Sequence, residues 1–290
     1  MRFFLVIGLC LAKLVYADSV VTTGNISVTS SSYFKGAISS VKYKGIELIN
    51  SADRGRLLQS AVSFDGMGEC LNPTEGGSAS YWTIADALHR EDTSVLLSTA
   101  AYKKNIWTVS QMGYWLNPTE MAFSGCGIAI NLTYASSTIL AKHITVNSNL
   151  IIHDIIFNVG EAHASGTFEA LTGYIPSGTM PNRLFYDPAT GSSIIPSSNF
   201  IGEQEFPIIY YNNSGTIAIG VFSPALPQNW NGALVGYGSF NFQFERVNKF
   251  NCVFRDNNIT AKQYAYQCIT VIGTLPEVKI TLNTLHSLYK

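Results

Sequence analysis

The strongest constraint on this chain is its rhythm of short β-branched and aromatic runs, each stopped by Gly, Asn, Pro or Ser. Strand candidates are Ser19 to Ser27, Ala37 to Tyr43, Ile46 to Ile49 after a Lys44-Gly45 turn, Gly55 to Asp65 and Ser94 to Tyr102. They continue with Met121 to Tyr134, Ile139 to Val146, Leu150 to Val159, Pro207 to Tyr211, Thr216 to Phe222, Phe240 to Val247, Asn251 to Arg255 and Tyr264 to Ile272. Many such runs parted by turns predict an all-β fold, a large two-sheet β-sandwich. A helix is expected only at the end, where Val278, Leu282, Leu285 and Tyr289 recur at helical spacing behind Pro276, with His286 on the exposed side. Gly173 to Ser198 reads as a long loop system. It carries Tyr174, Arg183, Phe185 and Tyr186 and therefore reads as functional rather than as a linker.

Composition narrows the setting. Hydrophobic residues make up 47% of the chain and charged residues 13%, with a net charge of −1, which favours a large core and argues against disorder. There is no basic run or finger spacing for nucleic acid, and no polybasic patch for a membrane surface. Arg2, the apolar stretch from Phe3 to Leu14 and the small-residue site Val15-Tyr16-Ala17 form the pattern of a secretory signal peptide. Residues 1–17 are accordingly expected to be removed, and 18–290 to form a single sandwich domain outside the cell. The chain has 5 cysteines, of which Cys10 falls in the leader. An even remainder in a secreted protein favours disulfides. Cys252–Cys268 is the favoured pair, because the intervening residues look like a hairpin turning at Asp256-Asn257-Asn258; Cys70–Cys126 would be the other. No CxxC or HxxxH spacing suggests a metal, and no cofactor motif is present. Sequons stand at Asn25, Asn131, Asn212 and Asn258.

One phrase occurs twice: MGECLNPTE at 67–75 and MGYWLNPTE at 112–120. It sets Glu75 and Glu120 in matched surroundings, and paired carboxylates are a common basis for sugar chemistry. A duplicated hairpin turn that only shapes loops is the plainer alternative. Aromatic residues accompany both copies: Tyr81 and Trp82 after the first, Tyr114 and Trp115 inside the second. Such rings, with Asn72, Asn117 and Tyr174, suit the flat faces and hydroxyls of a saccharide. Arg56 and Gln59 open the strand from Gly55, on opposite faces of an ideal strand; a structural ion pair with Asp53 is the alternative for Arg56. His143 and His153 lie on strand candidates, and His153 is the candidate proton-transfer partner. Glu169 precedes a Gly-Tyr turn and is expected to project from a loop into a cleft.

The run GAISSVKYKGIELINSADRGRLLQSAVSFDG resembles the opening of the galactose mutarotase-like β-supersandwich proteins. LNPTEGG, MGYWLNP, FEALTGYIP and VIGTL are similar to a group of secreted, largely bacterial proteins of that type. The resemblance covers most of the chain beyond the leader. It implies a carbohydrate-related role: a glycoside hydrolase or polysaccharide lyase using Glu75, Glu120, Arg56 and His153, a non-catalytic glycan-binding module, or an aldose epimerase-like isomerase. The epimerase pattern of a His pair with a Glu base does not map residue by residue onto His143, His153 and Glu169.

Overall fold

The computed structural model describes residues 17–50, 56–66, 73–76, 93–114, 135–242 and 246–290. The chain forms two large antiparallel sheets and one C-terminal helix. The first sheet runs β1 (Ser19–Thr23), β2 (Ile26–Ser30), β3 (Ile38–Tyr43), β5 (Leu58–Phe64), β10 (His163–Pro176), β19 (Val247–Ile259), β18 (Tyr237–Phe242) and β13 (Gly202–Gln204), with β4 (Ile46–Glu47) beside β3. The second runs β12 (Ser192–Ile194), β11 (Asn182–Asp187), β14 (Ile208–Tyr211), β15 (Ala218–Phe222), β20 (Gln263–Gly273), β9 (Leu150–Asn158), β8 (Ala135–Val146), β7 (Asn105–Gly113) and β6 (Val95–Tyr102). A separate hairpin pairs β16 (Gln228–Trp230) with β17 (Ala233–Val235).

The period-two pattern of the strands decides which side is core. In β8, Leu140, Ile144 and Val146 point inward, and in β9 Ile151, Ile155 and Phe157 do the same. Phe157, Phe168, Phe254, Tyr264 and Tyr266 meet between the sheets, with Phe254 and Tyr266 stacked at 4.3 Å and Phe157 edge-on to Phe168 at 5.2 Å. Each fully buried ring of this kind contributes roughly 1.5–3 kcal/mol. The Cys252–Cys268 disulfide crosses the same core and links β19 to β20.

The helix, α1 (Leu275–Tyr289), starts on a capping box between Thr274 and Glu277, with Pro276 in its first turn. Val278, Leu282 and Leu285 bury against Ile209, Ala218, Phe222, Ile269 and Val271 on the outer side of the second sheet. Tyr289 is half-exposed, and His286 is half-buried rather than exposed.

Several local expectations change. Ser19 to Ser27 is two strands, because Gly24-Asn25 turns the chain. Residues 256–258 are no hairpin turn: β19 continues through them, paired with β10, and reaches the other sheet only after Ile259. The cysteines therefore join two sheets rather than two arms of one hairpin. The segment from Gly173 is not one long loop, since β10 runs to Pro176 and β11 and β12 follow. Strand β7, N-I-W-T-V-S-Q-M-G, is a further strand beyond those expected, with the polar and apolar alternation of a half-buried strand. The expected strand Met121 to Tyr134 and the pair Cys70–Cys126 lie outside the described residues.

At one margin the sheets are joined. The backbone of Pro73-Thr74-Glu75 lies between β5 and β7: Val62 N–H donates to Pro73, Glu75 N–H to Ser60, and Thr74 exchanges two bonds with Gly113. Gly113 is required there, because a Cβ would sit 2.3 Å from the Ser94 nitrogen.

Candidate functional site

The sequence candidates separate onto two sides of the first sheet. Glu75 is on the inner side, completely buried, in an ion pair with Lys142, which also donates to the Gly36 carbonyl at 3.3 Å. Ser60 N–H reaches its other oxygen at 3.2 Å. Burial raises the Glu75 pKa and outweighs the opposing effects of Lys142 and Ser60. His153 is buried nearby, its Nε2 3.1 Å from Thr270 Oγ1, and burial followed by the Lys142 charge lowers its pKa to about 3. This cluster lies in the sandwich interior, with Glu75 and His153 fully buried and Lys142 nearly so. Arg56 is buried, and its carbonyl accepts from Asn50 Nδ2 at 2.9 Å. Glu120, Asn72, Trp82, Trp115 and Asn117 lie outside the described residues.

The outer side is built by register. Residues directly opposite each other share a face. Gln59 faces Thr172, Thr172 faces Asn251, Asn251 faces Gly238 and Gly238 faces Glu203, so one row crosses five strands. Next to it stand Tyr174, Lys249 and Phe240, and Glu169 lies on the other flank. Glu169 thus projects from the centre of β10, not from a loop.

Glu169 is the hub of this face. Its carboxylate meets Lys249 at 3.0 Å and accepts from Thr172 Oγ1 at 2.6 Å, and the Asn251 side chain bonds it as well. Burial works to raise its pKa, but the Lys249 ammonium and the bonds from Thr172, Lys249 and Asn251 together outweigh it and hold the group below the usual carboxylate range. Glu169 is therefore a standing anion, not a proton donor. The Lys249 ammonium lies 5.8 Å from the Tyr174 ring and 5.5 Å from the Phe240 ring. Asn251 reaches over Gly238, where a Cβ would stand 1.8 Å from its Oδ1. Gln59 turns to Thr74, donating at 3.1 Å.

At the β13 end, Arg255 grips Glu203 with both guanidinium nitrogens, Nη1 to Oε2 at 2.6 Å. The β16–β17 hairpin leans over this pair. Its turn is Asn231-Gly232, both with positive φ, the two-residue connection that matches strand twist. The hairpin brings Trp230 to the same hollow as Phe240, and Gln228 fixes it by accepting from Arg255 N–H at 2.9 Å. The hollow, of about 270 Å³, is lined by Gly202, Glu203, Trp230, Val235, Phe240 and Arg255. None of these six was singled out from sequence. The Trp-Asn-Gly-Ala turn signal and the shared parity of Asn251 and Arg255 were the available clues.

Among the described residues no group of His, Cys, Asp and Glu is placed to hold a metal ion, and no helix is long and apolar enough to cross a membrane. Of the sequons, Asn25 and Asn258 are exposed, Asn212 is tied to Thr216 and Ile217, and Asn131 lies outside the described residues.

No family model matches the sequence, and no curated protein matches it. Among solved structures the chain is similar in shape to a galactose mutarotase-like protein from Lactobacillus casei, at 6% identity and a TM-score of 0.49, over 88% of this chain and 99% of that one. It is also similar to a galactose mutarotase related enzyme from Lactobacillus acidophilus, at 11% identity and a TM-score of 0.47, over 89% and 98% of the two chains. An α-galactosidase from Geobacillus stearothermophilus matches at 8% identity and a TM-score of 0.45, over 89% of this chain but 40% of its own.

Proposed function

We propose that this chain is a secreted protein that binds a neutral saccharide on the outer face of the first sheet, in the hollow under Trp230. The observation that carries this is the pairing of charge in that face. Among the described residues of the face, Glu169 is matched by Lys249, both largely buried, and Glu203 by Arg255, which stay partly exposed at the hollow, so the groups that meet a ligand there are fixed donors and acceptors with their charges balanced. Such a surface suits hydroxyls better than ions, while Trp230 and Phe240 offer flat apolar surface for the C–H faces of a sugar ring. Binding is favoured over two-carboxylate hydrolysis. That chemistry needs one protonated and one ionised carboxyl flanking a bond, whereas Glu169 is held ionised on the outer side of the sheet and the raised-pKa carboxyl, Glu75, is fully buried on the inner side.

Titration calorimetry of the protein against cellohexaose, maltohexaose and mannohexaose tests the assignment. At least one is expected to bind, and Trp230→Ala and Arg255→Met to weaken it by about tenfold or more. Equal affinity in both variants, or binding of none of the sugars, would sink it. N-terminal sequencing after expression in a secreting host is expected to begin at Asp18.

A further inference from the structure

We infer a second saccharide-binding site on the opposite side of the molecule, on the outer face of strands β6 to β9. It shares with the hollow under Trp230 only the class of ligand. Helix α1 packs on the β11–β20 part of the second sheet and on the start of β9, where Leu150 and Ile152 lie against it; among the described residues, Trp107 and His143 on β7 and β8 lie outside that contact.

Cross-strand register puts Ala100, Trp107, His143, Asp154 and Gln267 in one row over five strands. Trp107, on the strand next to the sheet edge, is 40% exposed, high for an indole flanked by strands on both sides. One face of it stacks on the His143 imidazole, centroids 5.2 Å apart and planes at 12°. Directly opposite on the other flank, among the described residues, stands Ala100, whose methyl is too short to cover the indole. Tyr102, 64% exposed, faces Asn105 in the next row and so lies diagonal to Trp107.

The polar part of the row is fixed in advance. His143 Nε2 is 3.0 Å from Asn105 Oδ1, which also accepts from Thr145 Oγ1 at 2.9 Å. His143 Nδ1 is 3.4 Å from Asp154 Oδ2, and Asp154 Oδ1 accepts from Gln267 Nε2 at 2.7 Å. Asp154 remains 43% exposed on its side chain, with lone pairs left for hydroxyl donors. An open indole face, an aromatic neighbour and a rigid line of acceptors beside them form a shallow site for a sugar ring lying flat. Two such sites on opposite faces would let one chain bridge two glycan strands.

Indole N–H resonances separate the two sites in one titration. The Trp107 and Trp230 signals are assigned by their loss in Trp107→Ala and Trp230→Ala, and the wild-type chain is titrated with cellohexaose, maltohexaose and mannohexaose. The Trp107 signal is expected to move in saturable fashion with one of these sugars, also in the Trp230→Ala variant, and Asp154→Asn to weaken that response by about tenfold. Movement of the Trp230 signal with a fixed Trp107 signal overturns the second site and leaves the first intact. Movement of Trp107 alone supports the second site and removes the first. If neither moves, both are overturned.

Discussion

Thr74 and Gly113 exchange both backbone hydrogen bonds, at 2.8 and 3.0 Å. Thr74 belongs to the tail of the first copy of the repeated phrase and Gly113 to the head of the second. The described ends of the two copies, Pro73 to Glu75 and Met112 to Tyr114, are therefore part of a seam that ties both sheets. Gly113→Ala forces a methyl into the Thr93–Ser94 backbone. It is expected to lower stability by about 2–3 kcal/mol in urea denaturation. Gly178→Ala, where a Cβ meets nothing within 4 Å, should stay within about 0.5 kcal/mol of wild type. Equal midpoints for the two variants would remove the seam's structural role.

The Glu75–Lys142 pair predicts an asymmetry. Removing the cation alone, with Lys142→Met, leaves a buried carboxylate without its partner and should cost about 3–5 kcal/mol. Adding Glu75→Gln to that variant should restore much of the loss, because the uncompensated charge is gone. A double-mutant cycle by denaturant melts measures this, and additive losses would contradict it.

His153 sets an acid limit. Its folded pKa of about 3 lies well below the ordinary value of 6.5. Between those values the unfolded chain takes up a proton that the folded chain refuses, so stability is complete above about pH 6.5 and falls as pH drops toward 3. The loss from this group alone reaches up to about 5 kcal/mol. His153→Leu should flatten the stability profile between pH 6 and about 4, and an unchanged slope would locate the acid sensitivity elsewhere.

Gly238 should matter for binding more than for folding. In Gly238→Ala the new methyl occupies the place of Asn251 Oδ1, so Asn251 must swing away from Glu169. Saccharide affinity at the first sheet is expected to fall by about tenfold, with stability within about 1 kcal/mol of wild type. Undiminished affinity in a folded Gly238→Ala protein would separate Asn251 from recognition.

The sandwich and its terminal helix were legible because alternating burial in strands such as β9 and the capped, periodic helix leave direct marks on sequence. The cysteine pair was legible too, but not its path, since nothing local distinguishes a hairpin from a strand that changes sheets after Ile259. The candidate site was mostly illegible. Glu169 stood out, but Lys249, Asn251, Phe240 and Glu203 converge on it only through pairings between strands far apart in the chain. Lys142 was hidden in the same way, since an inward-pointing lysine is intelligible only once its carboxylate is known.

The strand order also has a consequence for synthesis. Strand β19 joins β10 to β18 in the first sheet, and β20 joins β9 to β15 in the second. Both come from residues 247–273. Until that stretch leaves the ribosome, each sheet exists as two half-sheets with a bare inner edge, the kind of edge that invites pairing with another chain. Completion of both sheets thus waits for these two strands, and until they emerge the shielding of those four edges falls to whatever receives the chain.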